Sequence, residues 1–203
     1  MKTTPRNIPR ILVLALCLTV ALVQTHPATL HAETLGPEVL QMSYVDSLDG
    51  GLTLCDEIQF NGDGVVTGMT FFIGKPVNDG GASYFYILRP QADQAYDVLY
   101  VSDPVHADDG EGEKSITLNC EVKAGDVVAY VGRGVSYKLI NSGDPNVYRS
   151  LKKVLQAGDQ VRLVEEGSSE QSPNTVHSLP QRRIYSLAVE FAPAPASTSR
   201  PKK

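Results

Sequence analysis

The sequence predicts an all-β chain folded as a two-sheet antiparallel β-sandwich of about ten strands. Three observations carry that expectation. Short apolar segments recur between clusters of Gly, Asp, Asn and Pro, with 17 Gly and 13 Pro in 203 residues. The clearest of these segments alternate with a period of two, the repeat of a strand and not of a helix. The composition, 42% hydrophobic and 20% charged, is that of an ordinary globular chain. It is neither poor enough in apolar residues for disorder nor rich enough for a membrane bundle.

The first segment is set apart from the rest. Lys2, Arg6 and Arg10 precede an apolar run of thirteen residues, 11–23. A bilayer takes about 20 such residues, so the run fits the hydrophobic region of a signal peptide. Residues 1–32 are therefore expected to direct export, with cleavage after Ala32 and Ala28 as the alternative point. Leu16 stands before Cys17 where a lipoprotein signal needs a small residue, so lipidation is not expected. An uncleaved membrane anchor is the competing reading, but nothing after Val23 extends the apolar run. The processed chain is expected to be secreted, periplasmic or at the cell surface, with no membrane span. Removing 1–32 takes three basic and no acidic residues, leaving 15 Lys+Arg against 23 Asp+Glu. An acidic surface of that kind excludes a nucleic-acid partner and suits cations.

Strands then follow in order. Residues 40–45 and 52–60 open the series. In 65–73, Val65, Met69, Phe71 and Ile73 form one face and Val66 and Phe72 the other, so this strand is apolar on both sides and central. Residues 83–89 (Ser-Tyr-Phe-Tyr-Ile-Leu-Arg) have the same character and are expected beside it. Residues 96–102 come next. In 116–122, Ile116, Leu118, Cys120 and Val122 alternate with Thr117, Asn119 and Glu121, the pattern of a half-exposed strand. Residues 127–131, 135–140, 161–164 and 184–191 complete the set. Residues 144–158 are ambiguous. Asp144-Pro145 reads as a helix start with Val147, Leu151, Val154 and Leu155 on one face, or as a strand entering a turn; the strand is preferred.

That preference comes from an internal echo. Val122-Lys-Ala-Gly-Asp and Leu155-Gln-Ala-Gly-Asp each end an apolar segment in a tight turn, where Gly supplies a positive φ and Asp bonds nearby backbone. Two copies define corners and no repeat array. The first copy, Ile116 through Tyr130, resembles the strand–turn–strand corners of secreted jelly-roll β-sandwich domains. The resemblance covers about fifteen residues and implies a jelly-roll-like fold class, with no activity attached. The domain is expected to span 33–192, and 193–203 (Pro-Ala-Pro-Ala-Ser-Thr-Ser-Arg-Pro-Lys-Lys), rich in Pro, Ala and Ser, to be a disordered tail.

After processing, Cys55 and Cys120 remain. Export permits a disulfide between them, which would close a long loop worth about 4 kcal/mol. Strand parity opposes it. Cys120 lies on the apolar face with Leu118, whereas Cys55 alternates with Thr53 and Glu57, opposite Leu54, Ile58 and Phe60. A bulge near Asp56-Glu57 is required for the two to meet; two independent thiols are the alternative. No Cys-x-x-Cys pair supports a metal site.

Candidate sites are few. The segment 103–113 holds five carboxylates, Asp103, Asp108, Asp109, Glu111 and Glu113. Oxygen ligands on a Gly-containing loop suit Ca²⁺, the candidate cofactor, although no EF-hand spacing is present and a solvated acidic loop has the same look. Asn61-Gly-Asp-Gly64 reads as a β-turn. His106 and His177 are expected in separate loops, and no Gly-x-Ser-x-Gly elbow accompanies them, so no hydrolytic triad is expected. Asp56 and Glu57 point to opposite faces of one strand and cannot together form a glycosidase pair; a pair from different strands, such as Glu57 with Glu121 or Glu190, has no motif behind it. Tyr137-Lys138 faintly resembles the polysaccharide-lyase type of sandwich, but the Arg, Gln and His motifs that accompany it there are missing. For ligand binding, Tyr84, Tyr86 and Tyr137, within a wider set that includes Tyr96, Tyr100 and Tyr130, are candidates for a sugar-stacking platform, with Arg89, Arg133 and Lys138 as polar partners; ordinary strand packing is the alternative.

The resulting expectation is a secreted, non-catalytic binding or surface module, with carbohydrate or another surface protein as partner and Ca²⁺ as a stabiliser. A carbohydrate-active enzyme using carboxylates on a concave sheet is the alternative, and a structural or adhesive surface protein is the third reading.

Overall fold

The computed structural model describes residues 32–47, 51–74, 81–106, 110–149, 151, 153–170, 172 and 174–195. The signal-peptide reading of 1–32, save Ala32, and the tail beyond Pro195 lie outside them, as do Asp108 and Asp109. The described residues form fifteen strands and no helix.

One four-stranded sheet runs in the order β1 (Glu33–Leu35), β15 (Leu187–Pro193), β4 (Gly64–Ile73), β8 (Gly112–Val122). A three-stranded sheet joins β14 (Arg182–Tyr185), β10 (Ser136–Ile140) and β2 (Tyr44–Val45). The remaining strands pair in the order β6 (Ala95–Val101), β12 (Gln160–Val164), β13 (Thr175–Leu179), β11 (Val147–Arg149), β3 (Leu52–Gln59), β9 (Val127–Val131), β5 (Ala82–Pro90), and β5 pairs again with β6. That last pairing closes seven strands into a barrel, to which β7 (Val105–His106) adds on β5. The expected two-sheet, jelly-roll sandwich is therefore corrected. A closed barrel stands where its second sheet was expected, and β12 and β13 within it run parallel.

The reason lies in the strands that are apolar on both faces. In β3, β5 and β9, alternate residues serve two cores. Leu52, Tyr86, Leu88, Ala129 and Val131 fill the barrel with Val98, Val161, Leu163 and Val176, and Leu151 and Leu155 join them from the connection after β11. Cys55, Ile58, Phe85, Ile87, Val128 and Tyr130 face outwards, against Val66, Met69, Phe71 and Ile73 of β4, Leu118 of β8, and Leu187, Val189 and Phe191 of β15. The segment 83–89 thus lies across from β4, with Phe71 and Phe85 ring centroids 4.4 Å apart, and not beside it. At about 25 cal/mol per Å², burying both faces is what keeps these strands in the middle layer.

The segment 144–158 contains β11, its described residues beyond that strand are not helical, and Leu151 and Leu155 enter the barrel core. The expected strand 184–191 is broken at Ser186, whose amide bonds Ser136 and whose carbonyl accepts the Phe72 amide. The chain there passes from the three-stranded to the four-stranded sheet. Both Ala-Gly-Asp turns form alike. Gly125 and Gly158 have φ of 87° and 89°. Asp126 Oδ2 accepts the Lys123 amide at 2.8 Å and Asp159 Oδ2 the Gln156 amide at 2.9 Å. The first turn closes no hairpin, because β8 and β9 belong to different sheets.

Cys55 and Cys120 are free and buried, which overturns the expected disulfide. The register of β3 against β9 does shift between Leu54 and Gln59, and Cys55, Ile58 and Phe60 all reach the outer core with Cys120. The parity objection is removed, since both side chains enter one core, yet the two thiols are unbonded.

Candidate functional site

A cleft of about 640 Å³ opens at one end of the outer core. Its walls are Gly64 and Val65 at the start of β4, Leu99 and Tyr100 of β6, 119–122 at the end of β8, and 192–195 at and just beyond the end of β15, with Arg89, Asp63 and Lys123 at the polar positions. Local chemistry shapes it. A Cβ on Gly64 would lie 2.4 Å from both the Phe191 ring and the Ala192 carbonyl, so only glycine lets β15 approach this wall. The Ala194 amide then donates to the Asp63 carbonyl at 2.8 Å, holding the chain along the rim.

Arg89, a candidate ligand residue from the sequence, leaves β5 at the cleft. Its Nε and Nη2 donate to Asp126 at 2.9 and 2.8 Å, a bidentate pair in which Asp126 is only 2% exposed and Arg89 keeps 30%. Such forked, charge-assisted bonds fix orientation as well as contributing energy. Burial pushes the Cys120 thiol up, helped by Asp126 and Glu121 and opposed by Arg89. Burial also raises the Tyr100 phenol. Both groups are thus neutral donors, and neither is activated as a nucleophile or base. The arrangement can hold an apolar body against Leu99, Val122 and Pro193 and orient it on a few polar atoms, which is the chemistry of binding.

The other sequence candidates are not gathered here. Tyr84 and Tyr86 belong to the barrel core, where burial raises the Tyr86 phenol. Arg133 lies in the turn after β9, its carbonyl accepting Ser83 Oγ. Tyr137 sits in the three-stranded sheet between Tyr44 and Tyr185, with the Arg183 guanidinium 4.4 Å from its ring centre. Lys138 is exposed beside it. The six residues form no common platform for a sugar ring, so the carbohydrate expectation loses its structural basis. Asp103 and Glu111 are exposed and Glu113 is on the solvent face of β8. Among the described residues no three Asp, Glu, His or Cys side chains are placed to hold a metal ion; Asp108 and Asp109 of the calcium candidate lie outside those residues. His106 and His177 lie on β7 and β13 and not in loops. Glu121 and Glu190 are exposed on the outer face of the four-stranded sheet, while Glu57 answers to Asp56 and Arg182.

Two polar clusters escaped the sequence reading. At the β3 register shift, Arg182 Nη1 meets Asp56 Oδ2 at 2.6 Å and Asn146 Nδ2 donates to Leu54 O at 2.9 Å and Arg183 O at 2.8 Å. The irregular backbone brings the consecutive carboxyls of Asp56 and Glu57 together, against the strand-parity expectation. Burial, then the Asp56 carboxylate, lifts the Glu57 carboxyl from 4.5 to about 7, opposed by its own amide and by Arg182. Deeper in, Asp46 Oδ2 accepts from Arg183 Nη1 at 2.9 Å and from the Tyr185 hydroxyl. Tyr185 continues a row of rings, Phe85–Tyr130–Tyr185–Tyr137–Tyr44, with successive centroids 5.5, 4.7, 5.5 and 5.6 Å apart. Arg183 next to an apolar strand was the one local sign of a buried ion pair; its partner lies 137 residues away.

Comparison with protein-family models, with curated proteins and with solved structures finds no match to this chain.

Proposed function

We propose that this chain is an exported, non-catalytic binding module whose ligand site is the cleft between β6 and β8. The observation that carries the reading is the cleft itself: about 640 Å³, within the range of ligand sites, with an apolar body and a few fixed polar atoms. The neutral Cys120 and Tyr100 and the Asp126-bound Arg89 supply recognition without the activated acid, base or nucleophile that turnover requires. Another protein at the surface remains the partner class that this reading favours.

The test is retention of ligands from a library of small organic molecules and short peptides, followed by native mass spectrometry. Leu99→Trp places an indole in the cleft, and its thermal transition is recorded alongside to show that it folds. The wild type should retain ligands unchanged in mass, and the filled variant should lose them by about tenfold or more in affinity. Equal retention by both proteins, or conversion of the ligand to products, would overturn the reading.

A further inference from the structure

Among the described residues, the strand that forms one wall of the cleft is also an outer strand of its sheet. β8 is 11 residues long and pairs with β4 on one side only among the described residues. The other outer strand of that sheet, β1, has 3 residues. The barrel has closed its own edges. A long strand with one side unpaired offers a row of backbone donors and acceptors to any extended segment. Native sheets guard such edges with Pro, with outward Lys or with bulges. β8 has no Pro, its solvent-facing residues are Glu113, Ser115, Thr117, Asn119 and Glu121, and its guards are Lys114 near its start and one register shift opposite Val66 and Gly68.

The chemistry of that edge selects its occupant. Glu113 and Glu121 stand on the same outer face at the two ends of the strand, eight residues or about 26 Å apart. Glu190, on the same face beside Gly68, adds a third carboxylate. On the inner face Leu118, Cys120 and Val122 turn towards the core, and the last two line the cleft. A strand laid along β8 would direct alternate side chains to the acidic face and to the apolar cleft mouth beside Leu99 and Tyr100.

We propose, resting on the cleft as a binding site, that β8 receives an extended segment of a partner protein as an added antiparallel or parallel strand, basic on its outer face and apolar on its inner one. Main-chain bonds supply affinity and the cleft supplies side-chain selection, the division of labour found in strand addition. A second copy of this chain fits poorly, because β8 paired antiparallel with β8 over its full length sets Glu113 opposite Glu121.

The probe is a fluorescent peptide of alternating Lys and Val, about nine residues long to match the strand. Its controls are an alternating Glu-Val peptide and a Lys-Pro peptide, which keeps the charge but lacks half of the amide donors. Binding is followed by anisotropy, amide exchange of 112–122 by mass spectrometry, and oligomeric state by light scattering. The Lys-Val peptide should bind, slow exchange in 112–122, and weaken by about tenfold or more in Glu113→Lys/Glu121→Lys, whose substitutions are exposed and leave the core intact. Neither control should bind. Equal binding of the Lys-Pro peptide, or binding without protection of 112–122, would overturn strand addition while the Leu99→Trp comparison still judges the cleft. Absence of Lys-Val binding would overturn the inference even if that comparison succeeds. A dimer whose β8 amides are already protected would overturn it in favour of a second copy.

Discussion

Glu57 shows how a single side chain can acquire a property its neighbours in sequence do not announce. Its Oε1 is buried without a hydrogen-bond partner, and Asp56 lies beside it. Desolvation and like charge both penalise ionisation, so the folded protein holds this proton up to about pH 7 while the unfolded chain releases it near 4.5. The sign follows from linkage. Where the folded state binds more protons, stability falls as pH rises, here between about 4.5 and 7. Glu57→Gln should therefore be nearly neutral at pH 4 and stabilise by about 1–2 kcal/mol at pH 8, after discounting for partial exposure. Urea unfolding at the two pH values checks it, and an equal effect at both would refute the assignment. Asp46 and Arg183 present the opposite case. Their side chains are buried together, 4% and 9% exposed, as an ion pair 2.9 Å long, so that removing either partner would leave the other buried without its contact.

At the scale of elements, the two Ala-Gly-Asp turns are a natural control for each other. Both place an Asp carboxylate on the amide three residues earlier and on a basic side chain, Arg89 for Asp126 and Lys153 for Asp159. They differ in burial: Asp126 is 2% exposed and Asp159 25%. An exposed ion pair contributes little, whereas removing the buried Asp126 carboxylate takes away three bonds at once, two from Arg89 and one from the Lys123 amide. Asp126→Ala is expected to cost about 2–4 kcal/mol and Asp159→Ala about 1 kcal/mol or less, by chemical denaturation. These turns were legible beforehand because everything they need lies within five residues. The Asp56–Glu57 contact was not. Strand parity assigns neighbours to opposite faces, and the register shift of β3 against β9 suspends that rule over the residues concerned.

For the whole molecule, β3, β5 and β9 serve as a shared wall between the barrel core and the outer core. Cys55 and Cys120 both enter the outer core as free thiols. Burial holds Cys55 well above the ordinary thiol range and Cys120 above it as well. A thiol reagent should accordingly modify neither in the native protein at pH 7 and both after denaturation, with no change in melting temperature on adding a reductant. A melting temperature lowered by reductant would restore the disulfide. The same layered packing leaves the cleft open where β8 ends, lined there by Leu99 and Tyr100 of the barrel strand β6.

Alternation along 65–73, 83–89, 116–122 and 127–131 was enough to locate β4, β5, β8 and β9, because which residues avoid water depends only on the local period of two. It also marked β5 as buried on both faces. It did not choose the partners. Closure through β5, β6 and β12, the short parallel pairing of β12 with β13, and the meeting of Asp46 with Arg183 rest on contacts between segments far apart in the chain. β13 itself, Thr175–Leu179, escaped notice because Ser and His interrupt its apolar residues and pairing on both sides supplies its stability. Side-chain pattern states which face of a strand is dry; only the assembled backbone, through the pairing of its amides and carbonyls, decides what lies against that face and which strands become neighbours.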